Sequence, residues 1–223
     1  MTQARVLIVD YGLGNLFSIR HACRHCGIDA EITSSPDSLL QADGIILPGV
    51  GAFGHAMDTL RSRELLTPLL TAVHAGTPLL GICLGMQLLL DASEEFGLHE
   101  GLGLIPGIVR KLPELRPDGS VRRIPAVGWN RIYLNPQRSQ PDLNSGLPDG
   151  TWMYFVHSFA AAPEQAGDVL TLTDYEGIRY CSAIRRGHVT GVQFHPERSA
   201  HHGLAFLKHW ATGLSSTRLT HQQ

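Results

Sequence analysis

The sequence predicts an α/β fold, a three-layer sandwich built on a central mixed, mostly parallel sheet. Three observations carry that expectation. Short, wholly apolar runs at Val6 to Val9, Gly44 to Leu47 and Pro78 to Ile82 each end in a glycine-containing turn, as strands buried on both faces do. Segments with helical spacing lie between these runs, and such alternation gives a parallel sheet covered by helices. Downstream of Leu90, apolar stretches follow one another through short turns, so some strands run antiparallel and the sheet is mixed.

The elements follow in order. The first strand, Val6 to Val9, stops at Asp10-Tyr11-Gly12-Leu13-Gly14. Asn15 stands where it can cap a helix whose inner face carries Leu16, Ile19, Cys23 and Cys26. Asp29 to Thr33 reads as the second strand and Gly44 to Leu47 as the third, ended by Pro48-Gly49-Val50-Gly51. A helical pattern covers Glu64 to Ala75, Pro78 to Ile82 is the fourth strand, and Leu84 to Leu90 turns helical. Strands are then expected at Ile108 to Leu112, Val121 to Tyr133, Thr151 to Val156, Val169 to Thr173, Arg179 to Arg185 and Val189 to Phe194, with a closing helix at Gly203 to Trp210. Leu112 to Arg122 and Asn135 to Gly150 are polar and rich in proline and glycine, and read as exposed loops. One domain is expected over residues 1–214, followed by a frayed polar tail over 215–223.

Composition narrows the function classes. The chain has 223 residues, 43% hydrophobic and 17% charged, with a net charge of −2. No basic field exists to attract nucleic acid, and no apolar stretch approaches the ~20 residues of a membrane-spanning helix. The N-terminus runs directly into a strand pattern without the form of a signal peptide. Four cysteines in a chain this long do not form a disulfide framework. A reduced, cytoplasmic protein is expected.

Three segments at the carboxyl ends of predicted strands carry chemistry, which is where open α/β sheets build their sites. Gly81-Ile82-Cys83-Leu84-Gly85 holds one thiol between two glycines at a strand-to-helix joint. Flanking glycines permit a strained turn, the helix start favours a thiolate, and the Leu84 N–H can serve an oxyanion. A free cysteine is also among the most buried residue types, so a core thiol is the competing reading. Gly191 to Glu197 (GVQFHPE) ends a strand in His195 with Glu197 two residues on, the base and orienting carboxylate that a thiol nucleophile needs. A surface His beside a surface Glu is the commoner case for such a pair alone. Pro48 to Gly51 can aim backbone N–H groups at an anion, or be an ordinary βα turn.

Two further patterns weigh less. Gly12-Leu13-Gly14 with Glu31 suggests a dinucleotide fingerprint, but Phe17 occupies the place of the third glycine. Cys23-Arg24-His25-Cys26 has the form of a metal half-site without a second half, and both thiols fall on the apolar helix face. His201 and His202 read as a solvated helix face.

Taken together, the motifs resemble those of class I (triad-type) glutamine amidotransferases, whose fold is flavodoxin-like. The likeness rests on Tyr11 to Leu16 (YGLGNL), Pro48 to Phe53 (PGVGAF), Gly81 to Gln87 (GICLGMQ), Gly128 to Asn130 (GWN), Tyr154 to Ser158 (YFVHS) and Gly191 to Glu197, in family order along nearly the whole chain. Within the family the motifs are most similar to those of glutaminase subunits that serve imidazole glycerol phosphate synthase in histidine biosynthesis. The resemblance implies that Cys83 attacks the glutamine side-chain amide and releases ammonia through a glutamyl thioester, with His195 moving the proton and Glu197 orienting His195. It implies an oxyanion site at Gly49, Val50 and Leu84, and glutamine binding by Gly51, Gln87, Ser158 and Phe159. It implies no cofactor or metal. It also implies a separate (β/α)8 synthase subunit of the HisF type, which receives the ammonia, raises a low resting activity, and meets this chain at Asn15, Trp129, Tyr154 and Arg198. A chain of this length cannot itself hold such a barrel of ~250 residues. Ala126, Phe159 and Arg198 stand where the family usually has His, Tyr and Lys. These departures leave the triad intact and bear on the partner. Supply of ammonia to a different synthase, such as a surface-sugar aminating enzyme, is the alternative. A module without turnover and a free-standing cysteine hydrolase are the competing function classes.

Overall fold

The computed structural model describes residues 4–137 and 147–220, with the backbone alone at 215–220. Its first half alternates as the apolar runs predict: β1 (Val6–Val9), α1 (Leu16–His25), β2 (Ala30–Thr33), α2 (Pro36–Leu39), β3 (Gly44–Leu47), α3 (Phe53–Ser62), α4 (Leu66–His74), β4 (Leu79–Ile82) and α5 (Leu84–Leu88). The second half is mostly strand: β5 (Leu90–Ser93), β6 (His99–Glu100), β7 (Ile105–Lys111), β8 (Ala126–Leu134), β9 (Thr151–His157), β10 (Phe159–Pro163), β11 (Val169–Tyr175), β12 (Ile178–Arg186) and β13 (Val189–Val192), closed by α6 (Ala200–Thr220).

A nine-stranded sheet runs in the order β2-β1-β3-β4-β13-β12-β11-β8-β9. It is parallel from β2 to β13 and antiparallel from β13 to β9, so the mixed sheet expected is present with its two kinds of pairing in separate halves. The side-chain period of two sorts each inner strand onto both faces. Leu7 and Val9 join one core with Met57, Leu60 and Leu69 of α3 and α4. Val6 and Ile8 join the other with Ile19 and Cys23 of α1 and Phe206 and Leu207 of α6. Each such side chain, once fully buried, contributes ~1.5–3 kcal/mol. That double burial is why these strands read as unbroken apolar runs. Among the described residues no helix is long and apolar enough to cross a membrane.

The arrangement has one consequence for chemistry. β13 enters the sheet beside β4, in parallel, with Val192 opposite Ile82. The Cys83 N–H then continues the ladder by donating to the Val192 carbonyl at 2.8 Å. Residues 83 and 193–195, more than a hundred positions apart in sequence, therefore leave the sheet side by side.

Several elements differ from expectation. A second, four-stranded sheet in the order β10-β7-β5-β6 was not foreseen. The helix predicted to Leu90 ends at Leu88, and Leu90–Ser93 is a strand, because a continuous apolar run carries no period to distinguish the two. α3 went unrecognised although Phe53, Ala56, Met57 and Leu60 have helical spacing and are buried. The strand expected from Val121 begins at Ala126. Asn15 occupies the N-cap position of α1 but its side chain makes no capping bond. The closing helix runs on to Thr220, through much of the segment expected as a frayed tail. Part of the Asn135 to Gly150 loop (138–146) and the last three residues of the tail lie outside the described residues.

Candidate active site

Cys83 sits between β4 and α5 with φ 56° and ψ −112°. A non-glycine residue in this region costs ~1–3 kcal/mol, and the surroundings must hold it there. The strain falls on the cysteine itself, and its flanking glycines permit the turn. The glycines serve close approach. A Cβ on Gly81 would lie 2.6 Å from the Gly85 carbonyl oxygen, and one on Gly85 would run into the Leu47 carbonyl. The backbones of β3, β4 and α5 thus press together around the elbow and leave the Cys83 side chain only 7% exposed.

The turn after β3 closes against the same elbow. Tyr11 Oη donates to the Pro48 carbonyl at 2.8 Å and fixes the turn. A Cβ on Gly49 would lie 2.6 Å from that Tyr11 oxygen and 2.9 Å from Leu84 Cβ. Gly49 and Leu84 are therefore neighbours, and Leu84 begins α5, where a backbone N–H has no intrahelical partner. Gly51 takes φ +108° and Val50 is exposed at the mouth. α5 is too short to add much of a helix dipole, so the local N–H is the effective group.

His195 follows β13 and is buried; its N–H donates to the Tyr154 carbonyl at 2.9 Å. Ser199 Oγ donates to the His195 carbonyl at 2.7 Å and accepts from the Tyr154 N–H at 3.0 Å. The backbone on both sides of the imidazole is therefore tied to β9. His195 Nδ1 lies 2.9 Å from Glu197 Oε1, and the Glu197 side chain is 1% exposed. Nε2 is buried and, among the described residues, without a hydrogen-bond partner. Burial pulls the His195 pKa down, but the nearness of Cys83 and the bond to Glu197 outweigh it and leave the pKa raised. By contrast, burial first, then Cys26 and Glu197, pushes the Cys23 thiol up to about 12, and burial does the same to Cys181. Those two thiols stay protonated and serve the core.

Of the residues expected to hold glutamine, Gln87 and Phe159 meet directly: Gln87 Nε2 donates to the Phe159 carbonyl at 3.0 Å. Ser158 lies between β9 and β10, where the chain passes from one sheet to the other. Gln193 stands in the Gly191 to Glu197 motif without a role of its own there, yet its Nε2 lies 3.7 Å from Cys83 Sγ. Its place two residues before His195, just past the end of the strand that pairs in parallel with β4, was the available signal.

Trp129, Tyr154 and Arg198 form one stack at the surface. The Trp129 and Tyr154 rings meet edge-on at 6.1 Å, and the Arg198 guanidinium lies 4.2 Å over Tyr154. Asn15 is exposed at the head of α1, which packs against the 3-10 turn at Pro196–Arg198. Ala126 is buried and pairs across the sheet with His157. A cavity of about 610 Å³ opens between α1 and α6; Glu197 is on its wall, but Cys83 and His195 are not. The weaker sequence patterns have ordinary partners: Glu31 pairs with Arg5 at 3.5 Å, and Cys26 Sγ donates to the Leu204 carbonyl at 3.2 Å.

The assembled groups can perform nucleophilic acyl transfer: a thiol on a strained turn, a buried imidazole with an orienting carboxylate, and backbone donors alongside. A family model described as glutamine amidotransferase class-I matches residues 7–211. The chain is 47% identical to the imidazole glycerol phosphate synthase subunit HisH of Symbiobacterium thermophilum, over 93% of each chain. It is 42% identical to the HisH subunit of Geobacter metallireducens, over 94% of this chain and 98% of the relative. The structure of PurLQS from Thermotoga maritima shares the fold with a TM-score of 0.70 at 19% identity, covering 96% of this chain and all (100%) of that one. A glutamine amidotransferase crystal structure does so with a TM-score of 0.67 at 18% identity, covering 94% and 98%.

Proposed function

The chain belongs to the class I glutamine amidotransferase family, and on that premise we propose that it is the glutaminase subunit of an imidazole glycerol phosphate synthase. It hydrolyses L-glutamine to glutamate and ammonia, and a separate (β/α)8 subunit of the HisF type takes up the ammonia. The observation that carries the reading is the pairing of the strained Cys83 with a buried His195 whose Nδ1 is committed to Glu197 and whose Nε2 is uncommitted. Relatives 39–47% identical over most of their length bear the HisH name and support the synthase assignment.

The geometry supports the following mechanism. Cys83 Sγ, as thiolate, adds to the glutamine carboxamide carbon, and the negative charge passes to the oxygen. The Leu84 N–H and the Gly49-Val50 turn face that oxygen and stabilise it. His195, protonated and held by Glu197, gives its Nε2 proton to the departing nitrogen, so ammonia leaves and a glutamyl thioester remains. Neutral His195 then takes a proton from water, hydroxide attacks the thioester, and glutamate and the thiolate are released with the imidazole again protonated. Gln87, Ser158, Phe159 and Gly51 hold the amino-acid end of the substrate. The exposed stack of Trp129, Tyr154 and Arg198, with Asn15 nearby, forms the surface that meets the synthase. Its arginine and aromatic composition suits an interface centre.

The test is steady-state glutaminase activity with and without the synthase subunit. The chain alone turns over slowly, and the synthase with its ligand raises the rate by orders of magnitude; high partner-independent turnover overturns the reading. Cys83→Ser abolishes glutamine-dependent synthesis and leaves synthesis from ammonium salts intact. Loss of the ammonium-dependent reaction as well would refute transfer of free ammonia between subunits.

A further inference from the structure

We propose that His157 is a positioning residue for the nucleophile: from the end of β9 it fixes the Phe159 carbonyl, which through Gln87 and Gln193 sets a hydrogen-bond donor on Cys83 Sγ. The inference rests on the glutaminase reading only for the role of Cys83.

His157 is 6% exposed and packs against Tyr180 with ring centroids 4.8 Å apart. Its Nδ1 lies 2.8 Å from the Phe159 carbonyl oxygen. A carbonyl can only accept, so Nδ1 carries the hydrogen and Nε2 keeps a lone pair, buried and unpartnered among the described residues. A second proton on this ring is unfavourable. Burial, opposed by the Phe159 bond and reinforced by the charge of His195, pushes its pKa down to about 4. At neutral pH His157 is thus a neutral donor of one fixed tautomer.

The Phe159 oxygen accepts a second bond from Gln87 Nε2 at 3.0 Å, and the same nitrogen reaches Gln193 Oε1 at 2.9 Å. Both protons of the Gln87 amide are committed, which fixes its orientation and leaves its oxygen for the cleft. Gln193, fully buried with Oε1 engaged, must turn Nε2 the other way, where it lies 3.7 Å from Sγ. A donor at that place favours the thiolate over the thiol. The path joins β9, β10, α5 and the residue that follows β13, so the substrate-binding strand crossover and the nucleophile share one hydrogen-bond chain. None of its members is a triad residue.

Two variants of the full-length chain separate positioning from packing. His157→Asn puts its amide nitrogen near the place of Nδ1 and can still reach the Phe159 oxygen; His157→Gln carries it to the place of Nε2 and cannot. The first readout is the pH dependence of Cys83 alkylation by iodoacetamide, followed on the Cys83 peptide by mass spectrometry, which needs neither glutamine nor partner. The second is glutaminase kcat and KM with the synthase present. His157→Asn should stay within about twofold of the wild type. His157→Gln should alkylate about fivefold more slowly, with its midpoint moved to higher pH, and lose kcat by a similar factor with little change in KM, as for one buried hydrogen bond. Equal behaviour of the two variants, or wild-type alkylation by both, overturns the proposal. If His157→Gln does not fold, Gln193→Met decides, since it keeps volume and removes the donor; wild-type alkylation by that variant also overturns it. A wild type that alkylates at Cys83 but never hydrolyses glutamine refutes the glutaminase reading instead, and the alkylation comparison still decides the role of His157.

Discussion

Cys83 holds an unfavourable backbone conformation because its neighbours leave it no other. Gly85 is the most restrictive of them, since any side chain there meets the Leu47 carbonyl, which belongs to β3 and cannot swing away. Gly85→Ala is expected to cost about 2 kcal/mol or more in urea unfolding, as overpacking against fixed backbone does, and to remove most glutaminase activity. Glu197 sets the imidazole's tautomer by accepting from Nδ1. Glu197→Gln removes the charge that supports the imidazolium and can turn an amide N–H toward Nδ1. A kcat fall on the order of a hundredfold or more is expected, with a much smaller change in KM, measured by steady-state ammonia release.

At the level of elements, the parallel neighbours β4 and β13 bring Cys83 and His195 together, and the antiparallel pair β8 and β9 builds the surface beside them. Trp129 faces Tyr154, and Arg131 faces Trp152, in that pair's register. The Arg131 guanidinium lies 5.0 Å over the Trp152 ring, so arginine-on-aromatic packing occurs twice on this face. Arg198 rides on the 3-10 turn that directly follows His195, so a partner that grips Arg198 would pull on the segment carrying His195. Arg198→Glu is expected to weaken association with the synthase at least tenfold, in the range of about 1.4 kcal/mol or more, and to lower glutamine-dependent synthesis more than ammonium-dependent synthesis. Titration of the complex by calorimetry checks the first expectation and paired synthesis assays the second.

For the whole molecule, the buried neutral His157 makes stability depend on pH. Its folded pKa is pushed down to about 4 from the ordinary value of 6.5. Between those values the unfolded chain binds a proton that the folded chain refuses, so stability falls as pH drops through 6.5 and levels off near 4. The contribution of this one site reaches about 3 kcal/mol. Denaturant unfolding from pH 7 to pH 4 should show that loss in the wild type, and His157→Asn should flatten its share of it. An unchanged slope in the variant would assign the acid sensitivity to other groups.

The sequence by itself determined the sheet-forming runs β1, β3 and β4, because burial on both faces removes polar residues from them, and it singled out Cys83, His195 and Glu197 as a candidate triad, because Gly81 to Gly85 and Gly191 to Glu197 are each legible within a few neighbouring positions. It did not determine the second sheet, because Leu88 to Leu90 is equally apolar in helix and strand and only the pairing of β5 with β7 selects the latter. Nor did it disclose that His157 and Gln193 belong to one hydrogen-bond chain that ends at the thiol. Their roles depend on which atoms of a buried side chain meet which backbone carbonyl, and that is settled when β9, β10 and β13 converge on α5. Local pattern records what a residue must be buried against or exposed to; the direction of a hydrogen bond between distant strands exists only once the strands have met.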